Sequence, residues 1–455
     1  MKKARILTGF AAFAIAASTL CASVGAVEPS YKASEDYKES VFYQNLQSIE
    51  LTGDGVSDTI AVALSQLGYH EGNSNADLDG RNSGGSRNFT EYNVLFGKLD
   101  NGEGNGTSYG YAWCAAFVNW CLRQARVDQE LTGGMYVSCA SWRNWFIYEG
   151  GAYGASYHAR TDDYVPKKGD LIFYKSLSAT HNRATDHIGI VLKCEDGKVY
   201  TIEGNADNKV GLHEYDLTNP YIVGYGSIAY KTADVPEVDY YATENHLPGL
   251  YIAGNGAVSV YAGASSSTEK ITTLPSRTVY RITAVQGKFG SVILEDGSTG
   301  WISLRHLTPM TAEQHYTVEL QTGEQSIKAV VAQGASWRIP EMTLDAQALG
   351  LQAAEGGELY MPGQILTPVA DMVLAVAYPV QTETETETDA ETEAVTQGEQ
   401  ATQQLPAQGE SVTPDAPLTE EQSTNKGCNG TVSAAFMGLL IAIGAAFAIG
   451  KKRNG

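Results

Sequence analysis

Cysteine is scarce: six residues in a chain of 455, with Cys21 falling in the N-terminal apolar run. The other five, Cys114, Cys121, Cys139, Cys194 and Cys428, are too few, and odd in number, for a disulfide framework. Metal-ligand spacings of the CxxC or HExxH kind are absent as well, so a zinc enzyme is not expected. We expect neither a metal nor a cofactor. Positive charge is also short, with 31 Lys and Arg against 52 Asp and Glu and a net charge of -21. Phosphate backbones would be repelled, and no nucleic-acid partner is expected.

Lys and Arg vanish altogether between Val380 and Lys426. The segment begins "TETETETDAETEAVTQGEQ", rich in Thr, Glu and Gln and poor in aromatics, a composition that cannot bury a core. Residues 380–428 are therefore read as a disordered tether with an average span of roughly 35 to 40 Å. Long, predominantly apolar runs occur only near the two ends. Residues 1–26 carry Lys2, Lys3 and Arg5, an apolar run to Leu20, and small residues at Val24 and Ala26, the pattern of a secretory signal peptide. Residues 431–450 are apolar and are followed at once by Lys451, Lys452 and Arg453. About 20 apolar residues span a bilayer, and the basic cluster marks the cytoplasmic side. The expectation is a secreted, cell-surface protein, held in the plasma membrane by a C-terminal transmembrane helix with its body extracellular. A processed sorting tail is the rival reading, but "LPAQG" at 405–409 lacks the threonine of the wall-sorting pentapeptide and lies far upstream of the apolar run.

Between these ends the pattern changes twice. Residues 55–231 mix helical and strand periodicities, and 232–247 read as a polar linker. Over 248–310, short runs such as "AVSVYA", "VYRITAV" and "GSVILEDGSTGWISL" alternate with turns, which predicts a small β-barrel. Residues 315–379, from "HYTVELQTGEQ" to "DMVLAVAYPV", predict a further small β unit.

"YAWCAAFVNWCLRQA", residues 111–125, places apolar residues at 114, 117, 118, 121, 122 and 125, a buried-helix pattern. On that pattern alone Cys114 is a core residue, since free cysteine is among the most buried types. Its position at the helix start changes the reading, because unpaired N–H groups and the helix dipole stabilise a thiolate there. Cys121, in mid-helix, has only a packing role. A reactive Cys114 needs a histidine, and "DHIGIVLKCEDGKVYTIEGNADN" predicts a hairpin with His187 at its mouth. A two-residue Asp196-Gly197 turn would set Ile190 against Glu203. A three-residue loop, Glu195-Asp196-Gly197, sets Ile190 against Ile202 and Leu192 against Tyr200. That register brings His187 opposite Asn205, with Glu203 one step along the same face. The remaining histidines lack such a face; His181 is the nearest competitor. "NADLDG" at 75–80 opens like a calcium loop, yet its twelfth position is Ser86 rather than a bidentate Glu, and it is read as a solvated loop.

"WCAAFVNWC", "GDLIFY", "DHIGIV", "VYTIEGNADN" and "IVGYG", in that order, are similar to the CHAP family of bacterial cysteine amidases and peptidases. The likeness covers Thr59 to Tyr230. It implies an α+β, papain-like domain with N-terminal helices packed on an antiparallel sheet. By the same resemblance Cys114 is the nucleophile, His187 the base, and Glu203 and Asn205 the positions that orient it. The implied substrate and partner is peptidoglycan, cut at the N-acetylmuramoyl-L-alanine amide or at a peptide cross-link. Residues 248–310 resemble the bacterial SH3-like domain in "VSVYAGASSSTEKITTLPSRTVYRITAVQGKFG" and "GSTGWISLRHL", although its tryptophan after the central turn is replaced around Phe289 and Gly290. Residues 315–379 resemble the β-grasp repeats of Gram-positive surface proteins. The alternative reading is a non-catalytic wall-binding or adhesion protein that keeps the domain as a scaffold.

Overall fold

A computed structural model describes residues 31–99, 107–127, 132–175, 185–241, 246–323, 325–353 and 357–379. The signal segment 1–26, the tether 380–428, the apolar run 431–450, His181 and Cys428 lie outside the described residues. Among the described residues no helix is long and apolar enough to cross a membrane.

Ordered structure begins ahead of residue 55. Ser34 and Ser40 cap two short helices, α1 (Glu35–Lys38) and α2 (Val41–Gln47), each side chain accepting the N–H of the residue three on. Their Tyr37, Phe42 and Leu46 are fully buried in the core that also takes up α3 (Gly55–Ser65). After the one-turn α4 (Glu91–Val94), that core is centred on α5 (Cys114–Gln124) and joined by α6 (Cys139–Tyr148).

The helices pack on a six-stranded antiparallel sheet of order β1-β6-β2-β3-β4-β5. Its strands are β1 (Ser156–Ala159), β2 (Leu171–Tyr174), β3 (His187–Glu195), β4 (Lys198–Ala206), β5 (Lys209–Asp216) and β6 (Ile222–Ser227). Strand alternation sends Leu171 and Phe173 of β2 into the helix-side core, whereas Ile172 and Tyr174 join a smaller cluster with Val191, Val199 and Ile222. This is the helix-on-antiparallel-sheet arrangement expected for an α+β chain. Gly204 lets α5 approach β4 closely, because a Cβ there would lie 2.6 Å from Phe117 Cβ.

The β3–β4 hairpin has the expected partner for Ile190 but a different turn. Ile190 pairs with Ile202 and Val191 with Thr201, whereas Lys193, not Leu192, faces Tyr200. The turn is the two-residue Asp196-Gly197, both residues at positive φ (52° and 75°), which suits a type I′ turn. A bulge between Val191 and Lys193 then shifts the pairing by one residue. The expected three-residue loop is thus replaced by a tighter turn and a bulge, which together give the same register near the site.

The expected linker is no free spacer where it is described. Val238 and Tyr240 are buried in the main core, Lys168 pairs with Glu237 at 2.6 Å, and Lys193 pairs with Asp239 at 3.0 Å. Burial of Val238 and Tyr240 and these two ion pairs tie it down.

Beyond it, eight strands from β7 (Gly249–Ala253) to β14 (Leu307–Ala312) enclose their own core, with Val260, Ile282, Val285, Val292 and Ile302 at its centre. Arg277 fastens this unit to the first: its guanidinium donates to the Gly68 carbonyl at 2.8 Å and lies over the Phe42 ring. The third unit runs from β15 (His315–Thr322) and β16 (Gln325–Ala332) to β21 (Met372–Ala377), and β15 and β21 pair in parallel. Its β16 also pairs with β11 (Ala284–Gln286), so the second and third units share a continuous sheet.

Candidate active site

Cys114 is the first residue of α5 and is only 6% exposed. Trp113, the residue before it, supplies no side-chain cap, so the first-turn N–H groups are left for other acceptors. The Ala115 N–H is directed at the Cys114 sulfur, as is the N–H of Ile188, the neighbour of His187 on β3. Trp113 is itself fixed, since its indole N–H donates to Glu71 Oε2 at 2.8 Å. The other Glu71 oxygen accepts from Asn88 N at 2.8 Å.

His187 opens β3 beside Tyr174 of β2. Its Nε2 donates to Glu203 Oε2 at 2.8 Å, which leaves Nδ1 to exchange a proton with a thiol. Glu203 is 1% exposed and its carboxylate is saturated. Besides His187 it accepts from Thr201 Oγ1 (2.6 Å), Tyr174 Oη (2.7 Å) and Tyr215 Oη (3.3 Å). Burial alone would raise its pKa, but the His187 bond and charge, with help from Thr201 and Tyr174, hold it below the ordinary carboxylate value. Burial likewise disfavours a charged His187. The Glu203 hydrogen bond and charge outweigh it, so the imidazole pKa is raised. Gly189 makes this contact possible: a Cβ at that position would sit 2.6 Å from Glu203 Cγ.

Asn205 is placed elsewhere. The β4–β5 pairing slips between Glu203 and Ala206, and Asn205 takes a left-handed φ of 59° in that bulge. Its amide donates to Asn88 Oδ1 at 3.3 Å. Asn205 therefore adjoins the Glu71–Trp113 network on the cysteine side, and among the described residues it is the Glu203 carboxylate that holds the imidazole. The expected contact between Asn205 and His187 fails because the bulge turns the side chain away.

Sequence reasoning passed over Cys139. It is the first residue of α6, its sulfur is in hydrogen-bonding contact with that of Cys114, and its Sγ lies 3.7 Å from the Thr185 carbonyl oxygen. One proton lying between two sulfurs eases the first ionisation and opposes the second. The hydrogen bond from Cys114 lowers Cys139 against the effect of burial, and with the His187 charge beside it the thiol comes down to about 7. That same bond, together with burial, pushes the Cys114 thiol up. The signal for Cys139 was present in "SCAS": Ser138 is an N-cap, accepting from Ser141 N at 3.4 Å, and it puts the cysteine at a helix start. In the Asn75–Gly80 loop, Asp77 accepts from Asn73 N (2.8 Å) and Asn82 Nδ2 (2.7 Å), and Asp79 pairs with Arg81.

A helix-start thiol, an imidazole opening the adjacent strand and a buried carboxylate behind it form the layout of a papain-like thiol site. The model of the CHAP domain family matches residues 106–205, so the chain carries a CHAP domain. That match holds Cys114, Cys139, His187 and Glu203; the sheet continues beyond it through β5 and β6. No curated protein sequence matches the chain. Among solved structures, "The crystal structure of Ly7917" is similar at 12% identity, covering 56% of this chain and 95% of that one with a TM-score of 0.26. "The crystal structure of Ly7917 with the hydrolyzing product of MDP" is similar at 13% identity, over 55% and 92% of the two chains with a TM-score of 0.25. Superposition at that level says nothing about individual residues of this site.

Proposed function

We propose that the protein is a cysteine-dependent peptidoglycan hydrolase that cleaves an amide bond, either N-acetylmuramoyl-L-alanine or a peptide cross-link. The observation that carries this reading is the Cys114 sulfur at the uncapped start of α5, met by the N–H of Ile188, whose neighbour His187 has its ring anchored by buried Glu203. The CHAP domain at 106–205 supplies the substrate class, since that family acts on peptidoglycan.

In this mechanism the His187 imidazole takes the Cys114 proton, and the resulting thiolate attacks the amide carbonyl carbon. First-turn N–H groups of α5 hold the oxyanion, a contribution of about 3 to 4 kcal/mol per donor. His187, charged by the thiol's proton, gives that proton to the leaving amine as the C–N bond breaks and a thioester remains. The neutral imidazole next takes a proton from water, whose oxygen attacks the thioester and releases the acid and the cysteine. Glu203 keeps the ring in one orientation and favours its charged form throughout. We further propose that the chain is exported and anchored at its C-terminus, and that the SH3-like and β-grasp-like units hold the catalytic domain against the wall.

The test is digestion of purified peptidoglycan with the full chain and mass spectrometry of the fragments. New N-termini on stem peptides identify the bond. If soluble fragments are absent while the Cys114 thiol remains free, the protein is not a hydrolase.

A further inference from the structure

We propose that Cys114 and Cys139 form a reversible oxidation site, closed to a disulfide by a hydroperoxide and reopened by a dithiol. The observations are geometric. Both residues are free cysteines, each begins a helix, Cys139 Sγ lies 3.7 Å from the carbonyl oxygen of Thr185, two residues ahead of His187, and the two thiols interact through a hydrogen bond. Their exposures differ: Cys114 is almost closed off, whereas Cys139 is half-buried and open to a small oxidant. Amide hydrolysis through Cys114 and His187 has no use for a second thiol at this place. The remaining described cysteines lack the arrangement. Cys121 is sealed within α5, and the thiol of Cys194 on β3 meets only burial.

The chemistry closes in two steps. The Cys139 thiolate, favoured by the nearby His187 charge and by the Ala140 N–H, attacks one peroxide oxygen. An S–O bond forms, the O–O bond breaks, and the other oxygen leaves as hydroxide. Cys114 sulfur then attacks Cys139 sulfur, forming the S–S bond, and the S–O oxygen departs as water with the proton from Cys114. Two electrons pass from the sulfurs to the peroxide, and two thiols with one peroxide give one disulfide and two waters. A dithiol returns both electrons and both protons and ends as its own cyclic disulfide. While the bond is closed Cys114 has no thiolate, so hydrolysis stops. That consequence rests on the proposed function, whereas the bond itself does not.

The experiment treats the full chain with hydrogen peroxide, alkylates the remaining thiols and digests with trypsin without reduction. The expected product joins the peptide 99–123 to the peptide 127–143, two hydrogens lighter than their sum and with Cys121 alkylated. Peptidoglycan digestion should be lost as this product forms and should return with dithiothreitol. Accumulation of Cys114 sulfinic acid without the joined peptide, or a join through Cys121, overturns the proposal. Cys139→Ser should form no joined peptide, and prolonged peroxide should carry its Cys114 past the sulfenic acid to the sulfinic acid, which dithiothreitol does not reverse. If Cys114 of that variant resists overoxidation to sulfinic acid as well as the parent's does, the proposal is also overturned. If the joined peptide forms and reopens while the reduced chain digests no peptidoglycan, the oxidation site stands and the hydrolase reading falls.

Discussion

Two helices of this protein, α5 and α6, begin with a cysteine, yet their first turns are finished differently. At α6, Ser138 caps the end and occupies the Ser141 N–H. At α5, Trp113 provides no cap and its indole is tied to Glu71, while at both helices the N–H after the cysteine, of Ala115 or Ala140, is directed at the sulfur. A helix start attracts negative charge in either case. What separates the two is whether the first-turn donors have already been spent. On that criterion α5 is the helix start that can receive the oxyanion of the proposed reaction, and the capped start of α6 offers no second such site.

The largest effect expected from this contrast is loss of the nucleophile. Cys114→Ser should abolish release of peptidoglycan fragments and leave the thermal unfolding midpoint nearly unchanged. Cys139→Ser, which removes a hydrogen-bond partner of the nucleophile, should slow turnover by about tenfold or less, near the scale of one hydrogen bond. The reverse ranking, measured as fragment release under reducing conditions, would exchange the roles of the two helices. Cys121→Ala, a mid-helix control, should retain activity and cost about 1 to 2 kcal/mol in chemical denaturation.

Next in size is the support of the imidazole. Glu203→Gln keeps the shape of the side chain but removes the charge that raises the His187 pKa. Turnover should fall by about one to three powers of ten, less than the roughly 10⁴-fold penalty for changing a triad's buried aspartate. The sign of the pH effect follows from the imidazole. A raised histidine pKa contributes stability that is complete below its unfolded value and is lost as pH rises through the folded value. Without Glu203 the folded value drops, so both the alkaline limb of the rate profile and the alkaline loss of stability should move to lower pH. An unmoved alkaline limb would mean that His187 does not set it.

A smaller effect is expected at Asn205, and it separates the two sides of the site. Since its amide meets Asn88 rather than His187, Asn205→Ala should leave the pH profile in place and change the rate by less than about tenfold. Its main cost is the left-handed backbone, about 1 kcal/mol or somewhat more for alanine. Asn205→Gly, free of that cost, should restore stability. A shift of the pH profile in Asn205→Ala would place this residue back on the imidazole.

These differences also mark how far the sequence could be read. Periodicity and charge put Cys114 at a helix start and set Ile190 against Ile202, both local properties of short segments. The hairpin loop was misjudged by one residue, and the bulge at Leu192 offset the error. No rule applied to one hairpin foresees a bulge whose cause lies in its packing. The turn of Asn205 toward Asn88 has the same origin, because the slip is in the pairing of β4 with β5. Tyr174 and Tyr215 reach Glu203 from other strands, and α1 and α2 enter the core from a segment given no role by its pattern. Cys139 differs from all of these: the Ser138 cap made it legible, and the same criterion that selected Cys114 should have selected it.

The smallest expected effect tests the cap itself. Ser138→Ala removes the acceptor for the Ser141 N–H and leaves that donor to water. The bond is long, at 3.4 Å, so the cost should lie near the lower end of the cap range, about 0.5 to 1 kcal/mol in denaturant unfolding. Fragment release should stay close to the parent value, since no first-turn donor of α6 takes part in the proposed hydrolysis. A spent cap and an open one thus make opposite demands on the same measurement: removing the first should change stability alone, whereas the second acts, in the proposed hydrolysis, on the substrate. Should Ser138→Ala slow fragment release strongly at unchanged stability, the start of α6 would belong to the reaction, and the distinction between the two helix starts would fail.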